Sequence, residues 1–221
     1  MHKLTIGITE LQEKLSRMGA MARAAVVDSV EALLSGNMEL VNRVLSGEET
    51  INRLEMEIDD QAIRLLALHQ PVACDLRCIT AIMKMNTDLE RMGDLAANIA
   101  RRAISLAEEP RAREFFDNIR RMGNCVSSMV SRCIESFLRR DGAMAKQILK
   151  DDDEADRFLV SITRELFHAM SHDASTLECA MELTLVARNL ERIADHATNI
   201  AEDVMFLIYG VDVRHHMGKV A

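Results

Sequence analysis

The chain has 221 residues, enough for one large domain or for two of about 110 residues. It is 48% hydrophobic but only 3% aromatic, with 15 Met and 2 Pro, a composition that suits packed helices better than strands. The net charge of −8 argues against a nucleic-acid-binding protein, because such proteins normally carry a basic surface.

The spacing of apolar residues predicts three long helices in the first half of the chain. The first covers about 9–34 and ends before a Ser-Gly-Asn sequence that is typical of a helix stop. The second covers about 38–69 and is ended by Pro71. The third runs from 72 to about 108, and Pro110 closes this half of the chain.

The second half repeats this plan. Leu-Glu-Arg-Met-Gly-Asp at 89–94 returns as Leu-Glu-Arg-Ile-Ala-Asp at 190–195, and residues 17–19 return at 121–123. The offset is 104 residues before the second helix hairpin and 101 after it. Shared register over this length predicts an all-α fold of two tandem, similar three-helix bundles with six long helices. We expect these bundles at 1–109 and 110–210. The segment from Tyr209 onward loses its periodicity, and we expect a flexible tail at 211–221.

Each copy of the repeated motif carries two acids four residues apart: Glu90 and Asp94 in the first, Glu191 and Asp195 in the second. Like charges at this spacing weaken a helix by about 0.2–0.5 kcal/mol per pair. A duplicated acid pair therefore indicates a compensating arginine or a bound cation.

The neighbouring helix supplies further oxygen atoms to each acid pair. If each hairpin is antiparallel about its turn, residues at equal distances from that turn lie level with each other. Four oxygen-bearing side chains in each half then form a surface site for a cation such as Mg, Mn or Fe, or less typically zinc. The predicted ligands are Glu48, Asn52, Glu90 and Asp94 in the first half, and Asp152, Asp156, Glu191 and Asp195 in the second.

Other interpretations of these and other residues remain open at this stage. The acids could instead form surface salt bridges with nearby arginines. Cys74 and Cys78 could share a soft metal, although small buried side chains are the more ordinary role. Glu165 and His168 match half of a di-iron motif. No phosphate-binding loop and no nucleophile with an adjacent base is present, so we expect no enzyme. The arginines considered are Arg91, Arg101, Arg102, Arg157 and Arg192.

The chain has no apolar run of the ~18 residues that a membrane span needs and no signal-peptide pattern at its start. Its five cysteines form no disulfide framework, which fits a reducing compartment. We therefore expect a cytoplasmic protein.

Three features together resemble the PhoU family of phosphate-uptake regulators over essentially the whole chain. These are Ile-Asp at 58–59, Gln-Pro-Val-Ala-Cys-Asp-Leu-Arg at 70–77, and the two motifs at 89–94 and 190–195. The resemblance implies that the paired acids hold surface clusters of iron or zinc, with Mg or Mn as alternatives. Asn52 stands where the family pattern has an Asp, so the first predicted site has one carboxylate fewer than the second.

The same resemblance implies a function based on binding. It suggests a negative regulator of the phosphate-starvation response, an adaptor that links the ATPase of a phosphate ABC transporter to a sensor histidine kinase. A homodimer and contact with the membrane only through these partners are further expectations. Two alternatives are a metal-dependent enzyme built on the carboxylate clusters and an accessory protein of a non-ABC phosphate carrier.

Overall fold

A computed structural model describes residues 2–210, which form six long α-helices with no strand among them. The predicted all-α fold is therefore confirmed. Two short 3-10 segments, Pro110–Phe115 and Ala174–Thr176, precede the fourth and the sixth helix. The flexible tail predicted for 211–221 lies outside the described residues. The helices are α1 (His2–Ser35), α2 (Met38–His69), α3 (Ala73–Leu106), α4 (Phe116–Arg139), α5 (Gly142–His172) and α6 (Leu177–Tyr209).

Local sequence accounts for most of the helix ends. Asn37 caps α2 by accepting a hydrogen bond from the Glu39 N–H at 2.9 Å. Asp141 caps α5 by accepting one from the Met144 N–H at 2.9 Å. Helix α2 ends where Gln70 adopts a left-handed backbone conformation, next to Pro71. The predicted bounds of α2 are confirmed.

Two predicted boundaries were wrong. Helix α1 begins at His2 and not near Thr9, whose hydroxyl donates to the Thr5 carbonyl inside the helix. The additional turns are held by tertiary packing, because Gly7 lies directly against the Leu65 side chain of α2. Tyr209 is also not part of a tail but the last residue of α6.

The helices form two three-helix halves that share one continuous core. Helix α2 packs on α1 and α3, and α5 packs on α4 and α6. The halves meet where α1 contacts α4 and where α3 contacts α6. This arrangement leaves α2 and α5 on the two outer sides of the molecule.

The contact between α1 and α4 is reciprocal. A methyl group added to Gly19 would come within 2.5 Å of the Ile134 side chain, and one added to Gly123 would come within 2.9 Å of Val30. Because the repeat offset of 104 maps Gly19 onto Gly123 and Val30 onto Ile134, each half makes the same contact to the other. The two halves are therefore related by an approximate two-fold axis.

Polar pairs between α3 and α6 follow the same symmetry. Lys84 lies 3.0 Å from Asp203, and Arg102, further along α3, pairs with Glu182, nearer the start of α6. Rising residue numbers in α3 thus meet falling numbers in α6, so the two helices are antiparallel. None of the helices in the described range is long and apolar enough to cross a lipid bilayer.

Candidate functional site

The antiparallel helices α5 and α6 bring the four acids predicted for the second half into one neighbourhood, which we call the α5–α6 acid cluster. Asp152 and Asp156 lie one turn apart on α5, and Glu191 and Asp195 lie one turn apart on α6. Burial raises the pKa of Asp152 to about 6, and the charges of Asp195, Asp156 and Glu191 contribute to the rise. The charges of the other three acids therefore oppose the ionisation of Asp152.

The acids of α6 show the same effect. Burial raises the pKa of Glu191, and the charges of Asp195 and Asp156 raise it further. Burial is the main cause that raises the pKa of Asp195, and the charge of Asp156 adds to the rise. Arg192 opposes both shifts, yet the shifts remain upward. Negative charge is thus in excess at this cluster.

In the first half, arginines form ion pairs with three of the equivalent acidic side chains. The Arg101 guanidinium donates to the Glu48 carboxylate at 2.7 Å. Arg91 lies 3.3 Å from a Glu90 oxygen and 3.5 Å from an Asp94 oxygen. The salt bridges considered in the sequence analysis therefore form here at Arg91 and Arg101. Among the described residues, by contrast, no cationic side chain lies within 4.0 Å of the four carboxylates of the α5–α6 acid cluster.

Burial still raises the pKa of Glu90, and the charge of Asp94 adds to the rise. The charge of Glu55, from α2, is a further cause. Glu55 itself has a raised pKa because of burial and the nearby Asp59. The structure thus adds Glu55 to the first acidic group, whereas the predicted ligand Asn52 has a buried side-chain oxygen without a hydrogen-bond partner.

The two halves differ in charge at two positions that are equivalent in the repeat. The residue that corresponds to Arg101 in the second half is Glu202, and the residue that corresponds to Asn52 is Asp156. Where the first half has one cation and one neutral amide, the second half has two acids. The excess of carboxylate oxygens in the second half makes the α5–α6 acid cluster the stronger candidate for a cation site.

The donor set fits a hard or borderline cation, because all four side chains offer carboxylate oxygens and a cation would relieve their mutual repulsion. Within residues 2–210, however, no three His, Cys, Asp or Glu side chains already converge as a metal-binding group. Ligation of a cation here would require the side chains to rotate toward one another.

Contacts between the two halves lie next to the acid cluster. His196, which follows Asp195, places its Nδ1 atom 2.7 Å from an Asp88 oxygen of α3. The Asn199 side-chain amide donates to the same oxygen at 3.2 Å. Charge at the α5–α6 acid cluster is thus one residue away from a polar contact between the halves, which sequence analysis did not identify.

The remaining candidates are placed apart from the acids. Cys78 is buried and accepts hydrogen bonds from Gln12 and Arg140, whereas Cys74 is exposed. His168 and His172 stack at a centroid distance of 4.1 Å near the end of α5. Cys78 therefore has the core role that sequence analysis favoured, whereas the same expectation for Cys74 was wrong.

Comparison with known proteins gives the same family in each case. The model of the PhoU domain matches residues 15–103 and again 119–204. A curated relative from Aquifex aeolicus, the phosphate-specific transport system accessory protein PhoU homolog, is 42% identical over 96% of each chain. The match of one domain model to both halves confirms the predicted duplication.

Solved structures are equally similar. The crystal structure of PhoU from Pseudomonas aeruginosa superimposes with a TM-score of 0.91 at 36% identity, covering 94% of this chain and 99% of that one. The phosphate transport system regulatory protein PhoU from Streptococcus pneumoniae gives a TM-score of 0.88 at 27% identity, with 95% and 99% covered.

Proposed function

Because the chain belongs to the PhoU family, we propose that it regulates phosphate uptake as an accessory protein of a phosphate-specific transport system. It acts in the cytoplasm as a negative regulator of the phosphate-starvation response. In this role it couples the ATPase of a phosphate ABC transporter to a sensor histidine kinase, and it meets the membrane only through these partners. The names of its relatives, which describe accessory and regulatory proteins of phosphate transport, support the proposal.

The observation that carries the metal-binding part of this proposal is the excess of negative charge at the α5–α6 acid cluster. Asp152 has a pKa raised to about 6, and both acids of α6 have raised pKa values as well. A bound cation, iron or zinc in first place and Mg or Mn as alternatives, supplies the positive charge that this cluster lacks. Asp152, Asp156, Glu191 and Asp195 are the side chains that hold it.

The first half binds a cation more weakly in this proposal. Glu48 is engaged by Arg101, and Glu90 and Asp94 share Arg91. Asn52 contributes a neutral oxygen instead of a carboxylate. The two predicted clusters therefore differ in occupancy at the same cation concentration.

Binding, and not chemistry, is the activity that we assign to the chain. The family is one of accessory and regulatory proteins, and long helices with exposed polar faces are suited to docking on other proteins. We also propose that the protein forms a homodimer, which sedimentation velocity of the purified chain measures directly.

Elemental analysis tests the metal-binding part. Protein is purified without chelator, dialysed against iron or zinc, and compared with an Asp152→Asn/Asp195→Asn variant and its first-half counterpart Glu48→Gln/Asp94→Asn. We expect the second-half variant to lose most of the bound metal and the first-half variant to lose little. Asn52→Asp/Arg101→Glu copies the second half's residues into the first and should raise metal content. Wild-type protein that takes up no metal would refute this part.

A reporter of a phosphate-starvation promoter tests the regulatory part. A strain that lacks the chain should express the reporter in high phosphate, and the wild-type gene should restore repression. Repression that persists in a strain without the transporter ATPase would refute coupling through the ABC transporter and favour a different phosphate carrier. A strain that represses normally without the chain would refute the regulatory role itself.

A further inference from the structure

Two histidines at the end of α5, His168 and His172, take no part in the acid clusters. Both are exposed, and their rings are in contact at a centroid distance of 4.1 Å and an interplanar angle of 47°. Residues four apart on a helix project from the same side of it. The two imidazoles therefore form one pair at the surface, which we call the α5 histidine pair.

A hydrogen bond determines which nitrogen of His172 is free. Its Nδ1 atom lies 2.8 Å from the backbone carbonyl oxygen of His168. A carbonyl oxygen can only accept, so Nδ1 carries the proton and donates it, and the neutral ring keeps its lone pair on Nε2. Histidines that bind metals are commonly held in this way, with the other ring N–H donated to a backbone carbonyl or a carboxylate. His172 therefore has the orientation of a metal ligand.

The separation of the two rings suits one shared ion. Zn–N bonds are about 2.0–2.1 Å long, so one ion holds two imidazole nitrogens no more than about 4.2 Å apart. The ring centroids, 4.1 Å apart, are already within that separation. Two histidines at positions i and i+4 of a helix are also the pair that holds zinc in the His-Glu-x-x-His motif. Helix spacing and ring distance therefore both permit chelation of one ion by the two side chains.

The charges around the α5 histidine pair are compatible with a cation. Arg164 and Glu165 precede His168 by about one turn, and their opposite charges largely cancel. Asp173, the residue that caps the end of α5, adds a carboxylate that lies 3.6 Å from Arg111. The carboxyl-terminal end of a helix is the negative end of its dipole and favours positive charge. Because the side-chain charges nearly cancel, the helix end supplies the remaining negative potential.

The first half shows that the fold does not require these histidines. With the repeat offset of 104, Arg64 and Leu68 stand at the equivalent positions of α2. Arg64 is paired with Asp60 at 2.8 Å, and Leu68 is 77% exposed. A charged residue and an exposed apolar residue are thus accepted at the same place in the other half. Packing of the helix end therefore does not account for the α5 histidine pair.

We propose that the α5 histidine pair is a cation site of a second kind. It binds a borderline divalent ion such as Cu²⁺, Ni²⁺ or Zn²⁺ through the Nε2 atom of His172 and a ring nitrogen of His168, and water completes the coordination. Imidazole suits these ions, whereas Mg²⁺ and Ca²⁺ take oxygen ligands. For a given site Cu²⁺ binds more tightly than Ni²⁺ or Zn²⁺. The α5–α6 acid cluster differs in offering carboxylate oxygens only.

Titration of the full chain with Cu²⁺ tests this site, with affinity measured by calorimetry and the ligands by electron paramagnetic resonance. The background variant lacks the second-half acid cluster and the histidines near the chain ends, which would compete for the ion. Its substitutions are Asp152→Asn, Asp195→Asn, His2→Ala, His215→Ala and His216→Ala.

We expect the background variant to bind a Cu²⁺ ion through two imidazole nitrogens. His168→Ala or His172→Ala removes one of two linked ligands, so either should weaken binding by about 10²-fold or more and leave one nitrogen in the spectrum. His69→Ala, at the end of α2, is the control and should bind as the background does. Arg64→His/Leu68→His copies the pair into the first half and should add a second ion with the same spectrum.

Three outcomes overturn the site. The first is a background variant that binds no Cu²⁺, or binds it only through oxygen ligands. The second is an effect of only one of the two substitutions, which assigns the ion to a single histidine and not to the pair. The third is an equal loss in His69→Ala, which shows that any exposed histidine suffices. None of these results bears on the regulatory role or on the α5–α6 acid cluster, because neither uses His168 or His172.

Discussion

Replacing Asp152 by Asn should stabilise the metal-free protein at neutral pH. The pKa of this carboxyl group is about 6, against an ordinary value of 3.8, so the folded chain holds the proton more tightly than the unfolded chain does. Stability is consequently lost as the pH rises from about 4 to about 6, and the loss is complete above that range. In the Asn variant a neutral amide replaces the carboxyl group, so this loss of stability does not occur.

The size of the effect follows from the two pKa values. A difference of this size corresponds to roughly 3 kcal/mol at pH 7, since each pKa unit is worth about 1.36 kcal/mol. Asp152 is only partly buried, and solvent screening reduces the figure to about 1–2 kcal/mol. We expect Asp152→Asn to raise the free energy of unfolding by that amount at pH 7.5 and to leave it nearly unchanged at pH 4.

The first half provides a control of opposite sign. Glu48 is the repeat equivalent of Asp152, but its carboxylate is paired with Arg101 at 2.7 Å. Glu48→Gln removes an ion pair that is partly exposed, so it should lower stability at pH 7.5 by about 0.2–1 kcal/mol. The same substitution type at equivalent positions thus has opposite effects.

The assay is urea unfolding followed by circular dichroism, because the chain has no Trp and one Tyr for fluorescence. The first series contains a chelator, and a second series contains Mn²⁺ or Zn²⁺ and no chelator. A cation that binds the folded state should stabilise the wild type, with a much smaller effect on Asp152→Asn. If Asp152→Asn is no more stable than the wild type at pH 7.5 in chelator, the carboxylates do not repel one another as the structure indicates.

Three further substitutions test the packing of the halves by the same assay. Gly19→Ala should destabilise by about 1 kcal/mol, because overpacking against Ile134 costs about 1–3 kcal/mol and a helix-propensity gain of about 1 kcal/mol offsets only part of that cost. Gly47→Ala, in the interior of α2 with open space around it, should instead stabilise by about 0.5–1 kcal/mol, and a loss there would contradict this argument. Lys84→Met should destabilise by about 1.5–3 kcal/mol, since it removes a charged hydrogen bond to the buried Asp203; an unchanged unfolding midpoint would show that the pair contributes nothing to the contact between the halves.

Helix periodicity and turn chemistry were enough to predict most of the fold. The bounds of α2 could be predicted because local sequence marks both ends: Asn37 caps its start and Pro71 follows its end. The start of α1 could not, because the predicted start near Thr9 lies inside the helix in the structure. What extends α1 to His2 is its contact with α2 near Gly7, which depends on tertiary packing and has no counterpart in the local sequence.

The sequence predicted which acids make up the candidate site better than it predicted how their charges interact. Duplication identified Glu90, Asp94, Glu191 and Asp195 from spacing alone. The structure adds Glu55 on α2, and its influence on Glu90 depends on how α2 and α3 are aligned. The contact of His196 with Asp88 joins residues 108 apart and follows no local pattern.

The difference between the halves shows why composition alone does not determine where negative charge accumulates. Both halves repeat the same motif, but Arg101 reaches across from α3 to Glu48, and its equivalent in α6 is an acid. In sequence, Arg101 could pair with any of 35 acids, and only the packing of α3 on α2 selects one of them. The same packing rule, applied to α6 and α5, brings together acids that have no arginine ion pair within the described part of the chain. The two halves therefore share one scaffold, whereas differences at two positions concentrate negative charge in the second.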